Sequence, residues 1–244
     1  MESILELKDA YFSAQDKNIV HGVSVKFAEG KTTAIVGPSG GGKSTVLKMA
    51  AGLLLPNMGE VLYRGKNIAH MNRAENMEFR KDSAFVFQDS ALWANQDLFQ
   101  ILELPLKIHF PDMDKKQRAQ RIKEVTDIVG YKKEMDIRPS RLSMGEQKLI
   151  AFARALLCSP FLLYLDEWTE SLDETAADRL INIVRRKQKE NATILFVCHD
   201  MRIIKILADY VIVIADGKMN FYSSKEQVMS DPELSDYLRM GMAL

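Results

Sequence analysis

A chain of 244 residues, 47% of them hydrophobic, is long enough to bury a substantial core, either as one large α/β domain or as a domain carrying an insertion. Its 33 basic and 33 acidic residues cancel to a formal net charge of zero, which argues against a polyanion-binding surface and so against nucleic acid as a partner. The two cysteines, Cys158 and Cys198, lack metal-ligand spacing and read as buried packing residues of a reduced, cytosolic setting.

In chain order, alternating residues 4–7 and 23–27 predict half-buried strands. Residues 33–36 form an apolar run that opens into Gly37-Pro38-Ser39-Gly40-Gly41-Gly42-Lys43-Ser44-Thr45, a match to G-x-x-x-x-G-K-[ST] at every defined position. A triphosphate needs converging backbone N–H groups, a cation near its outer phosphates and a hydroxyl on its magnesium. The glycines let the backbone curl into an anion nest, Lys43 reaches the β- and γ-phosphates, and Ser44 is a Mg²⁺ ligand at the start of a helix over 43–51. A third half-buried strand is expected at 59–63.

Three more runs, 84–87, 161–165 and 193–198, are apolar throughout, as strands of a parallel sheet covered on both faces must be. Helices over 43–51, 175–189 and 203–208 lie between such strands, which predicts a doubly wound α/β core. Residues 89–160 are helix-rich instead, with 115–129 carrying Ile122, Val125, Ile128 and Val129 at helical spacing and 112–116 as an exposed turn. The stretch 203–214 is interrupted by Lys205 and Asp209 and falls short of a membrane span.

Each buried strand is followed at once by a group suited to phosphate chemistry: Gly37, Gln88, Asp166-Glu167 and His199. Ligands of open α/β sheets sit at the carboxyl ends of strands, so these four belong around one site. Asp166 is placed to hold a metal opposite Ser44, and Glu167 to take a proton from the water that attacks the γ-phosphate. Gln88 offers both an amide carbonyl and an amide N–H, and His199 can bond the γ-phosphate or the attacking water. His21, His70 and His109 have no such placement. In Leu142-Ser143-Met144-Gly145-Glu146, Ser143 and Glu146 form a capping box that opens an amphipathic helix to Leu157. Such a helix start also binds anions, although it stands about a hundred residues beyond the phosphate loop.

This ordered set, completed by Ser171-Leu172-Asp173, resembles the ATP-binding-cassette ATPase subunits over essentially the full length. The resemblance implies an α/β, P-loop NTPase (RecA-like) fold: a mixed-sheet core over 1–88 and 160–225, an antiparallel β subdomain, an inserted helical subdomain over 89–159 and a helical tail over 226–244. It further implies ATP and Mg²⁺ as ligands, with Ser44, Gln88 and Asp166 on the metal. A second copy would bring its residues 142–146 to the nucleotide, with Asp173 in the loop between the two sites. The expected setting is the cytoplasmic face of the inner membrane, against an integral-membrane permease received around residues 90–93, where Trp93 either fits a groove of that partner or packs inside the insertion.

Phe87-Gln88-Asp89-Ser90-Ala91-Leu92-Trp93, Glu103-Leu104-Pro105-Leu106 and Ala215-Asp216-Gly217-Lys218 are most similar to the Mla/Mce-type phospholipid transporters, which implies a Mce-type lipid-binding protein as a further partner. Amino-acid importers, lipoprotein-release ATPases and the cell-division ATPase share similar segments. Two rivals are a clamp or scaffold without transport and a phosphate-loop kinase. The chain departs from the family pattern at Met144 and Glu146, where Gly and Gln are usual, at Trp168 in place of Pro, at Glu170, and at Ala14, where an aromatic ring normally meets adenine. Tyr11 or Phe12 is the expected substitute for that ring if the loop is shifted.

Overall fold

The computed structural model describes residues 3–232. The chain opens with a long hairpin, β1 (Ser3–Ala14) and β2 (Lys17–Ala28), turning at Gln15 and Asp16, both with positive φ. There follow β3 (Thr32–Val36), α1 (Lys43–Ala50), β4 (Met58–Tyr63), β5 (Lys66–Asn67), α2 (Arg73–Asp82) and β6 (Ser83–Val86). The middle of the chain holds α3 (Leu98–His109), α4 (Lys115–Val129) and α5 (Met144–Leu156). It then returns through β7 (Leu162–Asp166), α6 (Glu174–Lys189), β8 (Thr193–Val197), α7 (Met201–Leu207), β9 (Tyr210–Ala215), β10 (Lys218–Ser224) and α8 (Lys225–Ser230). Most helices begin on a side-chain cap: Asn72, Asp97, Asp114, Ser143 and Ser224 each form a reciprocal box with the third residue of the helix, which satisfies N–H groups that would otherwise lack partners.

Two sheets result. One is antiparallel, in the order β2-β1-β4-β5; the other runs β10-β9-β3-β8-β7-β6, parallel except for its antiparallel edge strand β10. The pleat of the larger sheet sorts its side chains into two cores. Ala34, Val36, Leu163, Leu165, Ile194, Phe196, Val211 and Val213 enter a cluster with α3, α4, α5, α6 and α7. Ile35, Leu162, Tyr164, Leu195, Val197, Ile212 and Ile214 enter the other, with the β1–β2 hairpin, α1 and Phe79 of α2. Full burial of such side chains contributes about 1.5–3 kcal/mol each, and burial on both faces explains why these strands are apolar without alternation.

The structure departs from expectation in a few places. The helix expected over 203–208 is α7, but the apolar residues after the break at Asp209 form a strand that was not expected, β9; Asp209 Oδ2 accepts from Thr32 N at 2.8 Å. Strands β9 and β10 widen the sheet beyond the four strands read as buried runs. Cys198 is buried as expected, but Cys158 is only half-buried. Of the expected tail over 226–244, α8 supplies the first turns, and residues from 233 onward lie outside the described residues. Among the described residues no helix is long and apolar enough to cross a membrane. The middle helices do not form a separate core, since Leu149, Ile150 and Phe152 of α5 share one continuous cluster with Leu163 and Leu165 of the sheet.

Candidate active site

The sheet order puts β3, β8, β7 and β6 side by side, so the groups after them line one edge. The segment after β3 turns sharply at Gly37, whose φ is 141°; a Cβ there would lie 2.0 Å from the carbonyl oxygen of Ile214, so only glycine fits. Gly41 N donates to Pro38 O at 3.1 Å and Gly217 N donates to Gly41 O at 3.0 Å, tying the loop to the β9–β10 turn. Ser39 and Gly40 form its exposed tip, and Gly42 precedes α1 in a left-handed conformation without a side-chain cap. The first N–H groups of α1, through Ser44 and Thr45, therefore point from an uncapped helix start, a geometry that accepts an anion.

Lys43 is buried and donates to the carbonyls of Gly37 at 2.9 Å and Pro38 at 2.8 Å. Burial lowers its pKa, opposed by the charges of Glu167 and Asp166. Ser44 Oγ donates to Asp166 Oδ1 at 2.8 Å, which joins the phosphate loop to the end of β7. Asp166 is itself fully buried, which raises its pKa against the bond from Ser44 and the nearby lysines. Glu167 stands one residue on, with a left-handed φ of 45° unusual for a side-chain-bearing residue, and its carboxylate lies 2.9 Å from His199 Nε2. Burial, then repulsion from Glu170, pushes Glu167 up to about 7, while burial and Lys43 push His199 down. A carboxyl poised near neutrality beside an uncharged imidazole can take up a proton at working pH.

A cleft of about 660 Å³ runs from Ser44 and Asp166 past Gln88 and Glu170 to Met144 and Gln147 at the start of α5. Gln88 Nε2 donates to Glu170 Oε2 at 3.2 Å, so the carbonyl end of the same amide is left to another partner. The Ser44 hydroxyl, the Asp166 carboxylate and the Gln88 amide carbonyl make an all-oxygen donor set of low charge, which fits magnesium held jointly with a phosphate rather than by a protein cage.

Leu142 is buried beneath the start of α5, whereas Ser143 and Met144 are exposed. Ser143 Oγ accepts from Glu146 N and Glu146 Oε2 accepts from Ser143 N, and Lys133 pairs with the other oxygen of Glu146. Met144 reaches the cleft, but Ser143 does not line it. Gly145 has a packing reason of its own, since a Cβ there would lie 2.9 Å from Ser171 O. The carboxylate of Asp173 caps α6 by accepting from Ala176 N at 2.8 Å. For the adenine contact, Ala14 sits beside the hairpin turn, the Tyr11 ring lies over Gly22, and Phe12 packs against the core that the sheet shares with the β1–β2 hairpin and α1.

Sequence reasoning missed Lys148. It is 2% exposed and donates to the carbonyls of Phe87, Gln88 and Glu167. Its place one turn inside the capped helix was legible, but its acceptors are main-chain atoms, which sequence does not distinguish.

A family model described as ABC transporter matches residues 20–170. The chain is 30% identical over 234 residues to the intermembrane phospholipid transport system ATP-binding protein MlaF of Haemophilus influenzae, covering 96% of this chain and 88% of that one. It is 34% identical over 212 residues to the methionine import ATP-binding protein MetN of Corynebacterium efficiens, covering 86% of this chain but spanning only 58% of that relative. Among solved structures, the dimeric post-hydrolysis ATP-binding cassette MJ0796 bound to ADP and Pi matches with a TM-score of 0.82 at 25% identity, covering 90% of this chain and 98% of that one.

Proposed function

Since the chain belongs to the ABC transporter family as an ATP-hydrolysing, ATP-binding subunit, we propose that it works as half of a nucleotide-sandwiching homodimer that drives a separate membrane permease in phospholipid traffic. The observation that carries the catalytic part is the Glu167–His199 pair at 2.9 Å beside the Ser44–Asp166 bond, on neighbouring strand ends.

Residues 37–45 receive the phosphates through backbone N–H groups, with Lys43 exchanging the carbonyls of Gly37 and Pro38 for the outer phosphate oxygens. Ser44, Asp166 and Gln88 hold Mg²⁺, which when bound supplies positive charge against that developing on the phosphate oxygens. Glu167 takes the proton of the attacking water, and His199 orients that carboxylate and the water. Ser143 and Gly145, with Leu142, Met144 and Glu146 as their frame, serve the nucleotide of a second copy, and Asp173 lies between the two sites. The exposure of Ser143, away from its own cleft, supports this reading, as does the dimeric state of the MJ0796 cassette. Closing such a dimer from 1:99 to 99:1 takes about 5.5 kcal/mol of differential binding, within reach of a few charge-assisted hydrogen bonds of about 1.5–3 kcal/mol each.

The phospholipid assignment, with a permease at the cytoplasmic face of the inner membrane and a Mce-type partner, is supported by similarity to MlaF over nearly the whole chain. Similarity to MetN makes an amino-acid importer the alternative. Reconstitution of the chain with its cognate permease separates them. ATP-dependent transfer of labelled phospholipid between vesicles supports the first reading, and ATP-dependent amino-acid uptake without lipid transfer overturns it.

A further inference from the structure

Lys148 is the buried charge whose place in the site is still unassigned. An ammonium is costly to bury, so at 2% exposure Lys148 needs polar partners. It finds them in Phe87 O at 3.3 Å, Gln88 O, and Glu167 O at 3.4 Å. These carbonyls come from two segments, one after β6 that carries the metal-side Gln88 and one after β7 that carries the hydrolytic Glu167. Both segments contain strained backbone, with positive φ at Ser90, Ala91 and Glu167.

The same helix grips these segments again nearby. Arg154 donates to Ala91 O at 2.6 Å and Ser90 O at 3.1 Å, so α5 holds four carbonyls of residues 87–91 with two cations. Phe152, four residues beyond Lys148 and so on the same helical face, packs on Trp168 at a centroid distance of 5.7 Å. Gln88 is therefore fixed at both ends, its main-chain oxygen by Lys148 and its side-chain nitrogen by Glu170.

We propose that Lys148 is a positioning residue: through three carbonyl contacts it locks Gln88 and Glu167 to the start of α5, so that a displacement of the Ser143 helix end moves the metal-side amide and the hydrolytic carboxylate as one unit. This rests on the assignment of Glu167 to hydrolysis. It adds the physical link by which a second copy, docking on α5, sets the geometry of the first copy's site.

The test uses the full chain with Lys148→Met, Lys148→Gln and Lys148→Arg. Steady-state hydrolysis is measured against ATP at saturating magnesium, alongside equilibrium binding of a fluorescent ATP analogue, hydrogen exchange and thermal melting. In Lys148→Met, kcat is expected to fall at least about 20-fold while KM and the analogue's Kd stay within about threefold, as for loss of geometry rather than binding. Exchange should rise together at residues 86–91 and 166–170 with the phosphate loop unchanged, and Lys148→Arg should recover most of kcat. A folded Lys148→Met with kcat within about twofold of the parent, or with unaltered exchange in both segments, overturns the proposal. So does a parallel loss of kcat and binding, or an Arg variant no better than Met at equal melting temperature. If Lys148→Met does not fold, Lys148→Gln is read by the same criteria. Glu167→Gln run in parallel separates the two failures: turnover retained there sinks the functional reading, whereas turnover lost there with Lys148→Met unaffected sinks only this inference.

Discussion

The phosphate-loop edge of the sheet and the exposed start of α5 are both helix starts assigned to phosphate by proposal, yet they are built differently. At the loop, Lys43, Ser44, Asp166, Glu167 and His199 are engaged with one another at 2.8–2.9 Å or held by backbone, and most are buried. At α5, Ser143 and Met144 stand exposed, supported by only a local capping box and the Lys133–Glu146 pair. The first has its own groups held in place within one chain. The second is a surface whose polar groups are arranged but uncovered, as an element awaiting a partner would be.

The largest expected effects break this comparison on the loop side. Glu167→Gln should lower kcat by about 10²–10⁴-fold with ATP binding intact, measured by phosphate release and equilibrium binding. Lys43→Ala should weaken ATP binding itself by about 10–100-fold, the value of one charge-assisted contact. On the α5 side, Ser143→Arg should leave ATP binding to the isolated chain within about twofold while abolishing hydrolysis, because the residue it removes would serve another copy's nucleotide. Equal losses of binding in the Lys43 and Ser143 variants would erase the distinction between the two ends.

A smaller effect sharpens the electrostatic side. Glu167 titrates at about 7 in the fold against an ordinary 4.5, so the folded state holds this proton more tightly than the unfolded chain does. That stabilisation is full below about pH 4.5 and is lost as pH rises through about 7, leaving a buried carboxylate at alkaline pH. Without nucleotide or magnesium, Glu167→Gln should therefore gain about 1–3 kcal/mol over the parent between pH 5 and pH 8, read by denaturant melts at each pH. The smallest change is expected at Trp93, which is 45% exposed beneath the guanidinium of Arg154: Trp93→Ala should leave basal hydrolysis within about twofold and weaken association with the permease.

Much of the loop side was legible because its requirements are local. Residues 37–45 must follow a strand and open a helix, and the apolar runs at 33–36, 161–165 and 193–198 can only be strands buried on both faces. The bounds of α4 were legible from the helical spacing of Ile122, Val125, Ile128 and Val129. What escaped depends on long-range partners. The strand after Asp209, β9, is set by pairing with β3, far away in sequence. Gly145 is required by the carbonyl of Ser171, and Lys148 by carbonyls from two distant loops. The helix α2 was the exception, since its Asn72–Glu75 box could be read locally but was overlooked.

If the proposed dimer forms, the start of α5 completes a nucleotide site on a second copy. Light scattering of Glu167→Gln with magnesium and ATP tests it most directly. The expected result is a stable dimer that reverts to monomer on ATP removal and is abolished by adding Ser143→Arg. A chain that binds ATP yet stays monomeric at high concentration, both alone and with its cognate permease, contradicts it.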